Sequence, residues 1–192
     1  MIRKLTENYV EMRGWNIEDF LHFIMKTETE DNHMELPVPT HLQGFLIPAG
    51  DKNSEYEVTG NIQCTCGSGR FEVWESNKRH IVRLVCDQCR KEILLFDAGK
   101  HGWNGFVCKE DEYIDRSMPL KKYGCPECSK DVFNITVYIS SQGKEDFIEE
   151  CVSYDDSFSE EDWIDGFECI SISLFCQECG FAEDEWVVLE TM

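Results

Sequence analysis

Four close pairs of cysteines are the residues of this chain with the clearest chemistry. Two tight turns that each carry two thiols, brought together by a hairpin, surround one point with four sulfur ligands, the tetrahedral arrangement that suits Zn²⁺. The pairs fall into two sets, Cys64 and Cys66 with Cys86 and Cys89, and Cys125 and Cys128 with Cys176 and Cys179. The sequence therefore predicts two four-cysteine metal sites and two Zn²⁺ per chain as cofactor.

The two predicted sites differ in spacing, which leaves alternatives open. The inner cysteines are separated by 19 residues in the first set and by 47 in the second. Cys64 and Cys66 lie one residue closer together than in the usual Cys-x-x-Cys turn, so His80 or His101 is a possible substitute for one thiol. A thiolate cage also accepts iron. The alternative without metal is a cluster of reduced, buried cysteines.

The turns that carry the cysteines, here called knuckles, resemble those of a known superfamily. The sequences CPECS and CQECG resemble the knuckles of the zinc-ribbon (rubredoxin-like) superfamily, and the resemblance covers residues 60–97 and 123–190. It implies a small three-stranded sheet for each zinc ion and no particular activity. A residue that tolerates positive φ follows the second cysteine of a knuckle. The residues at these places are Gly67, Arg90, Ser129 and Gly180.

Alternating apolar and polar residues predict short strands in both halves of the chain. The segments that begin at Phe71 and Phe133 have this period of two, and apolar runs lead into Cys86 and Cys176. The repeated order of knuckle, strand, strand, knuckle and strand indicates an internal duplication. The predicted fold class is mainly β, small α+β overall, with two zinc-ribbon units in tandem. The predicted domains are an N-terminal helical segment and linker (1–54), unit 1 (55–115) and unit 2 (116–192).

An amphipathic helix is predicted in the N-terminal segment. Asn16 is a suitable N-cap, and apolar residues follow at helical spacing at Ile17, Phe20, Leu21 and Ile24. The apolar stripe predicts a helix over residues 16–26 that packs through this face.

The charge of the chain is strongly negative and unevenly distributed. The formal net charge is −20, and residues 116–192 carry 5 basic and 18 acidic side chains. Such a field attracts basic partners and repels nucleic-acid phosphates, although acidity also serves solubility alone. No run of 18 apolar residues and no stretch of signal-peptide type occurs in the sequence. With eleven cysteines that suit metal better than disulfides, these features predict a cytoplasmic protein that does not bind membranes.

An acidic insert, residues 140–166, accounts for most of the extra length of the second unit. Ten acidic residues between positions 145 and 165 alternate with large apolar side chains. We expect this insert to bind a basic protein partner, because acidic rims speed encounter and aromatic anchors hold a complex. The predicted partner-binding residues are Tyr154, Asp155, Asp156, Phe158, Glu160, Glu161 and Trp163. The alternative is an insert that folds on its own unit with its acids outward.

The segment between the two units, residues 101–108, is rich in glycine and aromatic residues. It is either a binding loop or a crossover in which Trp103 and Phe106 plug the junction between the units. The sequence alone leaves both interpretations open.

No catalytic motif accompanies these features. The chain has no P-loop, dinucleotide-binding glycine pattern, HExxH or GxSxG motif, so the prediction is that it is not an enzyme. We expect a non-enzymatic zinc-binding protein-interaction module, in one version an acidic inhibitor or immunity-type protein that binds a basic partner. The alternative is a nucleic-acid-binding zinc-ribbon accessory protein that uses the basic residues of unit 1, such as Arg79, Arg83 and Arg90.

Overall fold

The structure, a computed structural model, describes residues 35–109 and 116–192 of the chain. Residues Glu35–Met192 form one compact unit. The predicted helix over residues 16–26 lies outside the described residues. In the part of the chain that is described, no helix has the length and apolar character needed to cross a membrane.

The described chain is mainly β, which confirms the predicted fold class. Its strands are β1 (Leu46–Pro48), β2 (Glu57–Ile62), β3 (Phe71–Glu75), β4 (Ile81–Cys86), β5 (Glu92–Asp97), β6 (Lys121–Lys122), β7 (Val132–Ser140), β8 (Cys169–Cys176) and β9 (Ala182–Glu190). The one α-helix of the described residues is a single turn, α1 (Lys144–Phe147). The 3₁₀ turns are Thr40–Leu42, Asn77–Arg79 and Glu160–Ile164, and the π-helical turns are Trp103–Val107 and Ile148–Val152.

Each half of the chain contributes an antiparallel meander of three strands. β3, β4 and β5 form the first meander, and β7, β8 and β9 form the second. The registers agree, because Phe71 pairs with Cys86 in the first meander and Phe133 pairs with Cys176 in the second. In β2, β7 and β8 the alternation seen in the sequence gives a strand with one face in the core, and in β7 every second residue is buried.

The two meanders are joined into a single nine-stranded sheet through their first strands. β3 and β7 run antiparallel, and Phe71 is paired with Phe133. These two phenylalanines hold equivalent positions in the two meanders. An antiparallel pair formed by equivalent residues of equivalent strands has a local twofold axis between them. The described part of the duplicated chain is therefore arranged with pseudo-twofold symmetry.

The strand that leads into each half's first knuckle pairs with the other half. β2, which precedes Cys64, pairs with β7, and β6, which precedes Cys125, pairs with β3. The pair Asn61–Thr136 and the pair Lys122–Trp74 correspond under the repeat. Asn61 and Lys122 lie three positions before Cys64 and Cys125, the first cysteines of the two sets. Their partners lie three positions after the equivalent phenylalanines of β7 and β3. The halves thus exchange their leading strands.

A single main core holds the sheet together. It is built from residues of both halves, and Phe71, Phe133, Phe96 and Phe167 are almost fully buried in it. One cysteine of each knuckle is buried with this core, at Cys64, Cys86, Cys125 and Cys176. The candidate metal ligands and the apolar packing therefore lie in the same region.

A second, smaller core lies under the acidic insert. Phe147, Cys151, Trp163 and Ile164 are buried in it. Trp103 and Phe106, from the segment between the two halves, contact Phe147 and Phe158 with ring centroids 6.3 and 6.0 Å apart. This packing favours the interpretation of residues 101–108 as an apolar crossover.

A pair of stacked histidines attaches the segment before β1 to the rest of the fold. The rings of His41 and His101 lie 3.6 Å apart between centroids, and the planes differ by 14°. His41 Nε2 donates to the carbonyl of Leu95 at 3.2 Å, and the amide of Asp97 donates to His101 Nδ1 at 3.1 Å. The bond from Asp97 requires a neutral His101, since a protonated imidazole has no lone pair on Nδ1 to accept it.

We predict that this stack weakens folding as the pH falls. Burial, followed by repulsion from His41 when that ring is protonated, lowers the pKa of His101 to about 3. A folded-state pKa below the unfolded value near 6.5 means that the unfolded chain binds the proton first, so stability is present above pH 6.5 and is lost below it. Linkage gives a loss of about 1 kcal/mol for His101 between pH 7.5 and 5.5.

The measurement is the free energy of unfolding of the zinc-loaded protein, obtained by urea denaturation at the two pH values. Over this range it should fall by about 1 kcal/mol more in wild type than in His101→Asn. Losses of stability that arise from the thiolates are common to both proteins. His80→Asn, the same change outside the stack, should follow wild type. Equal pH dependence of wild type and His101→Asn would refute the assignment.

Candidate metal centres

The structure brings the four cysteines of each predicted set together. Within each group the sulfur atoms all lie within 4.8 Å of one another. In the first group, Cys64 Sγ is 3.5 Å from Cys89 Sγ, and Cys66 Sγ is 3.6 Å from Cys86 Sγ. The predicted metal-ligating cysteines of the first half are therefore assembled, and two histidines considered as substitutes are not part of the group.

The second group has matching dimensions. Cys125 Sγ lies 3.6 Å from Cys179 Sγ, and Cys128 Sγ lies 3.6 Å from Cys176 Sγ. Each short contact joins one cysteine of the first knuckle to one of the second. The hairpin connection that is 28 residues longer here therefore leaves the geometry of the site unchanged.

These distances fit a metal cage and not a disulfide. A disulfide needs two sulfur atoms about 2.05 Å apart. Four sulfur atoms placed about 2.3 Å from a tetrahedral Zn²⁺ are about 3.8 Å from one another, close to the observed separations. Both groups could therefore bind a metal ion, and their all-thiolate composition suits Zn²⁺ or iron.

The backbone of the knuckles explains why these residues can assemble. The residue after each second cysteine has positive φ, at Gly67 (88°), Arg90 (63°), Ser129 (59°) and Gly180 (76°). In three knuckles the amide of this residue donates to the carbonyl of the first cysteine four positions earlier, as Ser129 does to Cys125 at 2.8 Å. The turn is thereby closed with both thiols on one side.

The shortened knuckle closes as a tighter turn. The amide of Gly67 donates to the carbonyl of Cys64, three positions earlier, at 2.8 Å. The amide of Cys64 in turn donates to the carbonyl of Ser68, as the amide of Cys125 does to that of Lys130. One residue fewer between the cysteines therefore changes the turn type and keeps the ligand position.

Hydrogen bonds from the knuckle amides decide which thiol ionises first. Burial raises the pKa of Cys86, but backbone amides of its own knuckle outweigh burial and lower the pKa to about 6. The equivalent Cys176 has a pKa lowered to about 7 by the same competition. The backbone amide of Lys130 lowers the pKa of Cys128, but burial and the neighbouring thiols outweigh this amide and raise the pKa to about 12. Full ionisation of a cage therefore needs a bound cation.

The structure places the predicted partner-binding residues in two different environments. Asp155, Asp156, Glu160 and Glu161 are exposed, and 83% of Tyr154 is exposed. Phe158 is half-buried between Phe106 and Phe147.

Trp163 requires a correction, because it is only 1% exposed and belongs to the small core. Its indole supports the insert from inside, so it has no surface to offer a partner. The sequence could not distinguish the two environments, because a tryptophan between acidic residues can lie either in an interface or in a small core.

The four arginines at positions 70, 79, 83 and 90 of the first half are engaged in ion pairs. Arg70 pairs with Asp87, Arg79 with Glu75, Arg83 with Glu92, and Arg90 with Glu72. The pair of Arg90 and Glu72 is bidentate, at 2.7 and 3.0 Å. Sequence reasoning missed the pairs of Arg83 and Arg90 in particular, since strand pairing brings these arginines beside Glu92 and Glu72.

We predict that purified protein contains two equivalents of zinc per chain. The reason is that both four-sulfur groups have the dimensions of a zinc cage. Metal analysis by mass spectrometry should give close to two zinc atoms, and removal of the metal with a chelator should unfold the sheet, because zinc binding is largely folding free energy. Less than one equivalent, or mainly iron in protein from its natural source, would show this prediction to be wrong.

We predict that Ser129→Gly stabilises the zinc-loaded protein. Ser129 has a φ of 59°, a conformation in which a side chain is strained and glycine is not. After allowance for the greater freedom of glycine in the unfolded chain, the free energy of unfolding should rise by about 0.5 to 1 kcal/mol. Urea denaturation measures the change. Ser153→Gly, at a position with a φ of −70°, is the control and should lower stability.

Comparisons with known proteins do not add to this geometry. No family model, curated protein or solved structure matches the chain. The interpretation of the sites therefore rests on the two four-cysteine groups, which are compatible with zinc-ribbon-like units.

Proposed function

We propose that this chain is a non-enzymatic, zinc-stabilised protein-interaction module whose acidic insert binds a basic protein. The observation that carries the proposal is a large surplus of exposed, unneutralised carboxylates in the insert. Eight of its ten acids between positions 145 and 165 are exposed. Among the residues that the structure describes, the ion pairs of these acids are limited to Glu160 with Lys144, at 4.0 Å.

The insert supports this proposal because it is a folded surface. Its small core holds Phe147 and Trp163 inside, and Ser159 and Asp162 form a capping box at the start of the turn Glu160–Ile164. The acids are therefore displayed at defined positions, which reduces the entropy that binding costs.

Tyr154 is the best candidate for an aromatic anchor. Its side chain is 83% exposed, the largest exposure among the large apolar residues of the described chain, and it lies beside Asp155 and Asp156. An exposed tyrosine supplies contact area at low entropic cost, and the carboxylates around it accelerate encounter with a basic partner. In this proposal Tyr154 takes the role that the sequence had also given to Trp163.

The chemistry of the metal centres also favours a structural role. A zinc ion held by four thiolates has no open coordination position for water or substrate. A cage of this kind stabilises a fold and leaves function to the surface.

A concrete version of the proposal is an acidic inhibitor or immunity-type protein in the cytoplasm. Such a protein would cover the basic active site of a nuclease or toxin with its own carboxylates. The net charge of −20 and the absence of a catalytic motif support this version.

A groove lined mainly by residues of the first half supports nucleic-acid binding as the second candidate function. It has a volume of about 510 Å³ and is lined by Trp74, Arg83, Val85, Arg90, Glu92 and Leu120. An aromatic ring with two arginines suits a base and its phosphates. A phosphate would have to compete with Glu72 and Glu92 for these arginines, which is why we rank this candidate second.

We predict that charge reversal in the insert slows association with the partner. The change is Asp155, Asp156, Glu160 and Glu161 to lysine, and a second variant is Tyr154→Ala. The partner is first identified by affinity capture and mass spectrometry, and its binding kinetics are then measured at two salt concentrations. The reversal should lower the association rate about 10-fold or more at low salt, and Tyr154→Ala should mainly raise the dissociation rate.

The control variant makes the same change in net charge elsewhere, by lysine substitution of the exposed residues Asp51, Glu55, Asp184 and Glu185. It should retain most of the association rate. A partner whose binding tolerates the reversal in the insert would contradict the proposal.

A gel-shift titration separates the two candidates. At about 50 mM salt, where phosphate attraction is strong, we expect no micromolar binding of single- or double-stranded DNA or RNA. Binding that is lost in Arg83→Glu and retained in Lys52→Glu, an equal charge change outside the groove, would favour the second candidate.

A further inference from the structure

Each metal cage joins elements that belong to different halves of the sheet. In the first cage, Cys64 and Cys66 follow directly after β2, which lies against β7 of the second half. Cys86 and Cys89 belong to the hairpin of β4 and β5 in the first half. An ion held by these four thiols therefore fastens the first hairpin to a strand that is paired within the second half.

The second cage has the reciprocal arrangement. Cys125 and Cys128 follow β6, which lies against β3 of the first half, and the amide of Tyr123 donates to the carbonyl of Val73 at 2.8 Å. Cys176 and Cys179 belong to the hairpin of β8 and β9. Each ion would thus link the two halves across the same interface, and the two ions would lie on opposite sides of the pseudo-twofold axis.

We infer that the two metal sites are positively coupled, so that a metal ion bound in either cage raises the affinity of the other. This property is independent of the proposed partner and depends only on metal binding by the two cages.

The physical reason is that the two cages share one ordering cost. Filling the first cage requires β2 to be docked on β7, and this docking holds β7 in position beside β3 through the Phe71–Phe133 pair. The second cage requires β6 to be docked on β3, the strand that the same pair orders. The cost of ordering the interface therefore reduces the binding free energy of the first ion, and the second ion binds to an interface that is already formed.

Because the two cages share one core, disorder in one cage would destabilise the other. Cys64, Cys86, Cys125 and Cys176 are all buried in the same apolar cluster. Coupling between sites of this kind is typically about 5-fold to 150-fold in affinity, and linkage requires the effect to be equal in both directions.

The test follows each cage separately by hydrogen exchange at buffered concentrations of free zinc. The midpoint at which the amides of residues 86–91 become protected gives the affinity of the first cage, and residues 176–181 report on the second. In Cys179→Ser, which removes one ligand of the second cage and none of the first, the midpoint for residues 86–91 should move to about 10-fold higher free zinc.

The reciprocal variant and a matched control complete the experiment. Cys89→Ser should move the midpoint for residues 176–181 by the same factor. Cys169→Ser makes the same substitution on β8 at a cysteine outside both cages, and it should leave both midpoints in place.

The outcomes decide the inference in either direction. If residues 86–91 of Cys179→Ser stay unprotected at every zinc concentration, the intact first cage cannot bind zinc unless the second cage is also intact. The coupling is then very strong. If both variants keep the midpoint of the intact cage within about twofold of wild type, the cages are independent and the inference is wrong.

Discussion

The short antiparallel contact between β3 and β7 is the constraint on which the rest of the structure depends. It places Phe71 and Phe133 on a pseudo-twofold axis and lets each leading strand find its place on the other half. The sheet, the main core and the position of both cages follow from this arrangement. Two matching halves of one polypeptide thus have the organisation of a symmetric dimer.

The acidic insert shows how a symmetric scaffold acquires an asymmetric surface. It is inserted in the connection from β7 to β8, where the first half has the short link between β3 and β4. The four-cysteine group at the far end of β8 is unaffected, because the alternating pattern of β7 and β8 holds their register over eight residue pairs. The insert brings its own apolar residues for a core, so its acids need no support from the main core.

The local features of the fold could be predicted from the sequence, and the long-range ones could not. Knuckles, strand segments and even the positive φ at Arg90 and Ser129 follow from spacing and turn chemistry, because each depends on a few neighbouring residues. The exchange of β2 and β6 was not predicted, since pairing within a half or between halves satisfies the same alternating pattern. The burial of Trp163 and the stack of His41 on His101 likewise depend on contacts between distant segments.

The exchanged strands also have a consequence for the order of events during synthesis. The four cysteines of the first cage are complete once residue 89 has been added, but the strand that β2 pairs with begins at residue 132. Until β7 has left the ribosome, β2 is paired on one edge alone, with β1, and the first half exposes apolar surface that the second half later covers. Pairing of β2 with β7 therefore waits for the synthesis of the second half, and pairing across about 75 residues of chain is expected to be slow. During that interval, chaperones are the natural protection for the nascent first half.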